Sequence, residues 1–311
     1  MMPMSDPANM SPGDAAQPDR RLRGIIFAFI GAACWGFSAN CVSWLTSRTT
    51  ADVLWLSDMR LIIAGLLFLG AVLVCARGKL LHFLRTRSLW GPMAAYTLIG
   101  VILMQVSYMS AIKYTNPGTA LLLQESGVPL ILVISCLRAR RLPRRSEAIA
   151  LALAIAGIVL IATQGDLRTL SINPRGLFWG LASGVALAGY NIISVRLMEE
   201  CGGLVLNAVS ITLGALVLTL FVRPWEAPPA FGPDAWAVLL AVVLVGTMLA
   251  YGLYLKGVMD AGPVRASLIG VFEPVSGAII AALWLGTVFT SWDLLGGAAI
   301  IIMMVLVARA P

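Results

Sequence analysis

Read at its charges, prolines and turn pairs, the 311-residue chain breaks into apolar stretches near 24–46, 53–75, 89–112, 117–137, 146–164, 174–197, 203–222, 235–256, 263–285 and 291–308. Each is close to the ~20 residues that a helix rising 1.5 Å per residue needs to cross a bilayer. Nothing else in the sequence constrains the fold as strongly. Hydrocarbon offers no partner to backbone N–H and C=O groups, so segments of this length must satisfy themselves as helices. Composition agrees, with 59% hydrophobic and 12% charged residues, against about 25% charged in soluble domains. A soluble globular fold is excluded, and an all-α, polytopic integral membrane protein with ten transmembrane helices is expected.

In a soluble protein the net charge of +7 would suggest nucleic acid. Here the basic residues fall in short runs between apolar stretches, where they act as topogenic signals. Counting alternate connections, Arg20, Arg21, Arg23, Arg77, Lys79, Arg85, Arg87, Arg138, Arg140, Arg141, Arg144, Arg145, Arg196, Lys256, Arg265 and Arg309 share one side. Only Arg48, Arg60, Lys113, Arg168, Arg175 and Arg223 take the other. The positive-inside rule then places both termini in the cytoplasm. Trp44, Trp55, Trp90, Trp179, Trp225, Trp236, Trp284 and Trp292 lie near stretch ends, as interfacial rings do, whereas Trp35 sits deep in the first. Residues 1–22 read as a disordered cytoplasmic tail. The stretch that follows is too long for a signal peptide and lacks a small-residue cleavage site, so it is retained. Cys34, Cys41, Cys75, Cys136 and Cys201 have no C-x-x-C spacing and read as small apolar residues.

The chain also repeats itself. Arg23 precedes Gly24, Ala28, Ala32 and Gly36 in the first stretch, and Arg175 precedes Gly176, Gly180, Gly184 and Ala188 in the sixth. Gly100, Tyr108 and Pro117 recur with the same spacing as Gly246, Tyr254 and Pro263. Two halves of five spans each follow, over residues 23–165 and 174–309. An odd number of spans sends the second copy into the membrane from the opposite side, giving two inverted five-helix repeats around a central cavity, the symmetry that alternating-access transporters use. Shared packing of small residues is the plainer explanation of such matches, but charge, small-residue phase and proline positions coincide together.

On this arrangement, and on Ala111-Ile-Lys-Tyr-Thr, Ala266-Ser-Leu-Ile-Gly-Val-Phe-Glu-Pro274 and Leu285-Gly286, the chain resembles the drug/metabolite transporter superfamily, in particular its EamA-type ten-helix exporters, over residues 24–308. It departs from their pattern at Thr287, where an acidic residue is usual, and at Pro129, displaced by one position. Within the superfamily it looks most like the aromatic amino-acid exporters of the YddG type. The resemblance implies export of small metabolites, amino acids first and aromatic ones among them, across a bacterial inner membrane, with no cofactor. Its lining would come from the first, third, fourth, sixth, eighth and ninth spans.

Ionisable groups inside spans are costly and must face protein, water or substrate. Glu125, beside Gln124, and Glu273, before Pro274, are the deepest. Either can hold a substrate amine or a proton, or be a structural carboxylate at a proline-broken turn, the latter more so for Glu273. Asp58 and Arg60 near an outer boundary read as a local ion pair or lipid contact. Gln105 and Tyr108 share one helix face, as do Thr247, Tyr251 and Tyr254. Trp35, Ser38, Tyr190 and Asn191 add polar-tipped groups at intermediate depth. Such a set suits an organic solute with an apolar body and a polar head; taken singly, each residue can equally be helix packing.

The lone histidine, His82, leaves no His-based triad or multi-histidine metal site. Without a G-x-x-x-x-G-K-[ST] loop there is no ATP-driven pump in this chain. An exporter of drugs or quaternary amines, an intramembrane enzyme using Glu125 and Glu273, and a passive channel remain as alternatives, the last without a filter-like sequence. The expected partners are a small-molecule substrate and membrane lipid, and no nucleic acid; a monomer suffices.

Overall fold

The computed structural model describes residues 12–166, 168–261 and 269–308, among which all regular structure is helical. The apolar helices are α1 (Pro12–Arg48), α2 (Val53–Cys75), α3 (Arg87–Tyr114), α4 (Pro117–Arg138), α5 (Arg145–Thr163), α6 (Pro174–Cys201), α7 (Gly203–Val222), α8 (Pro233–Ala261), α9 (Phe272–Trp284) and α10 (Ser291–Ala308). All but α9 are long and apolar enough to cross a membrane. The expected start of the ninth span, with Pro263, Arg265, Ala266 and Ser267, lies outside the described residues, as does Arg309.

Two expectations are corrected. Helix α1 begins at Pro12, so residues 12–22 are helical and not a disordered tail. Arg20 and Arg23 fix this extension by donating to Asp260 at the far end of α8, at 2.9 and 3.0 Å. His82 lies in a short helix, Arg77–Arg85, and not in an open loop.

Helix starts follow their local chemistry. Asn116 and Asn173 accept hydrogen bonds from Thr119 N and Arg175 N, each at 2.9 Å, and Pro117 and Pro174 occupy the first helical position, where no N–H is missed. Inside the helices three departures matter. Helix α3 passes through a π-helical segment at Tyr96–Leu103, and α8 through one at Leu244–Leu249. Helix α4 opens at Glu125–Ser126, because Pro129 has no N–H for the Glu125 carbonyl; that oxygen accepts from Val128 N at 3.0 Å instead.

Helix α1 packs on α8 and α9, α6 on α3 and α4, α2 on α7, and α5 on α10. The first two sets are the same relation with the halves exchanged. Their contacts match in detail. A Cβ on Gly36 of α1 would collide with Ser276 and reach within 2.7 Å of Gly277 N on α9; one on Gly184 of α6 would collide with Ser126 and reach within 3.0 Å of Gly127 N on α4. The π-helical segments follow suit: Gly100 of α3 lies against the Tyr190 backbone of α6, and Gly246 of α8 against Ser38 of α1. Glycine is needed at these crossings for close approach of the backbones. Asn40 clamps one of them, donating to both Gly36 O at 2.9 Å and Gly277 O at 3.0 Å.

Candidate functional site

Between the two halves lies a cavity of about 500 Å³, within the usual range of small-molecule sites. Trp35 and Ser38 reach it from α1, Gln105 and Tyr108 from α3, Gln124 and Glu125 from the opening in α4, and Tyr190 and Asn191 from α6. Tyr251 and Tyr254 come from α8 and Glu273 from α9. These eleven residues, all named from the sequence, therefore line one space.

The aromatic side chains meet in two groups. The Trp35 ring meets Tyr251 edge-on at 5.3 Å between centroids and Tyr254 at 5.0 Å, and Tyr190 lies 5.3 Å from Tyr96. These are favourable quadrupolar separations. Asn191 spends its Nδ2 on Leu187 O at 2.9 Å. Gln105 Nε2 and Ser38 Oγ are buried without a partner among the described residues. Neither carboxylate has a side-chain hydrogen bond or ion pair among the described residues; at the backbone, Glu273 O accepts from Ser276 Oγ at 2.9 Å and Glu125 O from Val128 N at 3.0 Å.

The reading of Asp58 and Arg60 is corrected. Asp58 is fully buried and accepts a 2.7 Å hydrogen bond from Thr219 of α7, not from its neighbour. Residues two apart on a helix do not face one another, and Arg60 accordingly turns the other way, into the cavity. It is the only basic residue in the lining among the described residues, and Tyr108, Tyr251 and Glu273 line the same space. With it, α2 joins the expected lining helices, and α7 joins through Gly203, Leu206 and Asn207. Asn207 is an amide inside an otherwise apolar span, a signal legible in the sequence. Thr247 borders a smaller recess of about 70 Å³ that shares Arg60, Gln105 and Tyr251 with the main space.

The cavity runs to Met198 and Gly203 at the α6–α7 turn. On the opposite side the helix ends are packed by Leu45, Trp55, Leu56, Met109, Ile112, Leu121 and Leu239. Trp55 is buried there, its Nε1 donating to Pro224 O at 3.2 Å, so it is core and not part of an interfacial belt. Among the described residues no group of three or more His, Cys, Asp or Glu could hold a metal ion.

Comparison with known proteins agrees with this picture. The EamA-like transporter family matches twice, over residues 22–163 and 174–309. An uncharacterized inner membrane transporter of Salmonella typhimurium, YicL, is 28% identical over 286 residues, covering 92% of this chain and 95% of its own. An uncharacterized transporter of Bacillus subtilis, YwfM, is 23% identical over 287 residues, covering 92% and 94%. A crystal structure of another protein superposes with a TM-score of 0.59 at 20% identity, over 94% of this chain and 97% of that one, a likeness of fold.

Proposed function

Since the chain belongs to the EamA-like transporter family, we propose that it is a secondary transporter that exports small metabolites, amino acids first and aromatic ones among them, by alternating access. The observation that carries this reading is the cavity of about 500 Å³, lined by rings, amides and carboxylates from both matched halves. A likeness to aromatic amino-acid exporters of the YddG type is part of the proposal, and the Trp35–Tyr251–Tyr254 wall favours it.

In this reading ten spans form two inverted repeats, over residues 23–165 and 174–309, and the exchanged contacts of Gly36 with Ser276 and Gly184 with Ser126 support the symmetry. Both termini lie in the cytoplasm of a bacterial inner membrane, the membrane named for YicL. The cavity then reaches toward the cytoplasm at Met198 and Gly203, while the apolar cluster around Leu56 and Met109 closes the outer side. Exchange of the two halves' conformations would open the other face. Glu125, Gln124, Glu273 and the aromatic set bind the cargo.

Uptake of a panel of labelled amino acids into proteoliposomes, with and without a pH gradient, tests the reading. Saturable flux of an unaltered solute is expected. Conversion of the solute would make the protein an enzyme, and preferential flux of quaternary amines would make it a drug exporter.

A further inference from the structure

Arg60 and Gln105 present two hydrogen-bond donors to one region of the cavity, and neither has an acceptor. No carboxylate oxygen comes within 4 Å of Arg60 among the described residues, and Gln105 Nε2 is buried and unpaired. Both residues line the main cavity and the recess beside it, and among the described residues no acidic one lines the recess. A guanidinium held among helices without an anion is an expensive arrangement. It is one that an incoming anion relieves. Glu273 lines the same cavity, more than 4 Å from the nitrogens of Arg60 and so without an ion pair to it.

A cation and an anion held apart across a cavity, each without a protein partner, fit a ligand that carries both charges itself. We infer that Arg60, helped by Gln105, receives the carboxylate of a zwitterionic cargo whose ammonium group is taken by Glu273. The planar guanidinium suits a carboxylate because its N–H groups match both oxygens at once. The rings of Trp35, Tyr251 and Tyr254 then face the side chain, which leaves side-chain choice to packing and charge recognition to the two poles. The inference rests on the transport reading above and narrows it to α-amino acids, in which amine and carboxylate are separated by one carbon.

Binding to the purified full-length protein, followed by quenching of intrinsic fluorescence, tests it with three probes of equal ring: phenylalanine, phenylalanine methyl ester and phenethylamine. Wild-type protein should bind phenylalanine at least about tenfold more tightly than the other two, because a hydrogen bond to a charged group contributes ~1.5–3 kcal/mol. Arg60→Gln should lose that preference, binding phenylalanine ten- to a hundredfold more weakly and phenethylamine unchanged. Equal wild-type affinities for phenylalanine and its ester would overturn the inference without any variant, which covers the case in which Arg60→Gln does not fold. So would a folded Arg60→Gln protein that binds phenylalanine normally. If wild-type protein binds the amine and ester but not the amino acid, the carboxylate site falls and the transport reading stands. If it binds none of the three and carries no amino acid in liposomes, both fall together.

Discussion

Thr219 of α7 donates a 2.7 Å hydrogen bond to Oδ1 of Asp58 in α2, while Oδ2 of that fully buried carboxylate has no partner among the described residues. The pair joins the two halves two residues from Arg60. Thr219→Val keeps the shape and leaves the whole carboxyl group unsatisfied, at a cost of about 1–3 kcal/mol. The melting temperature in detergent should fall by several degrees. An unchanged melt would show that water already serves Asp58.

Gly36 and Gly70 are both helical glycines, yet opposite outcomes are expected from alanine. A Cβ at Gly36 would strike α9 backbone, and one at Gly70 would meet nothing within 4 Å. Gly36→Ala should cost about 1–3 kcal/mol through forced separation of α1 and α9. Gly70→Ala should be neutral or stabilising by up to ~1 kcal/mol, because alanine is the better helix former. Monodisperse yield after solubilisation reads both, and a Gly36→Ala protein as stable as wild type would contradict the crossing geometry.

If the aromatic wall binds cargo, replacing Trp35 or Tyr108 by alanine should weaken transport of an aromatic amino acid several-fold more than that of a small aliphatic one. Ring contacts contribute about 0.5–1.5 kcal/mol beyond area burial. Equal losses for every cargo, together with reduced protein, would assign these rings to packing.

If Glu125, at the opening of α4 with no side-chain partner among the described residues, takes up and releases a proton, its titration couples flux to pH. Glu125→Gln keeps the shape and removes the titration. Any dependence of flux on a pH gradient should disappear in this variant, with flux at fixed pH retained. Wild-type flux that ignores the gradient would leave a uniporter and no coupling role for this residue.

Orientation is open to labelling. Cysteines placed singly at Arg141 and Arg168 on a cysteine-free background should react from opposite sides, the second from outside intact cells. The reverse pattern would invert the topology.

The spans and the cavity face were legible because burial in lipid imposes long apolar runs and makes each exception conspicuous: Trp35, Gln105, Tyr108, Glu125 and Tyr254 each interrupt such a run. Arg60 departs from its expected place for a geometric reason. Its distance from the start of α2 suggested an interfacial side chain, and its nearness to Asp58 suggested a pair, but a two-residue step places the groups about 200° apart around the helix. The π-helical segments left no sequence mark beyond Gly100 and Gly246, since the extra residue in such a turn is set by the helix packed against it. The opening of α4 was half visible: Pro129 announced a break, but that the break frees Glu125 depends on tertiary placement.

Helices α6 and α7 are joined by Gly202 alone, at φ 79° and ψ 153°, a conformation almost reserved for glycine. The cavity reaches one of its limits beside this residue, between Met198 and Gly203. A linker of one residue has no slack to absorb. Any widening between the two helices there must therefore appear as rotation about two torsions, so the aperture is a door on a single pin and not a frayed edge.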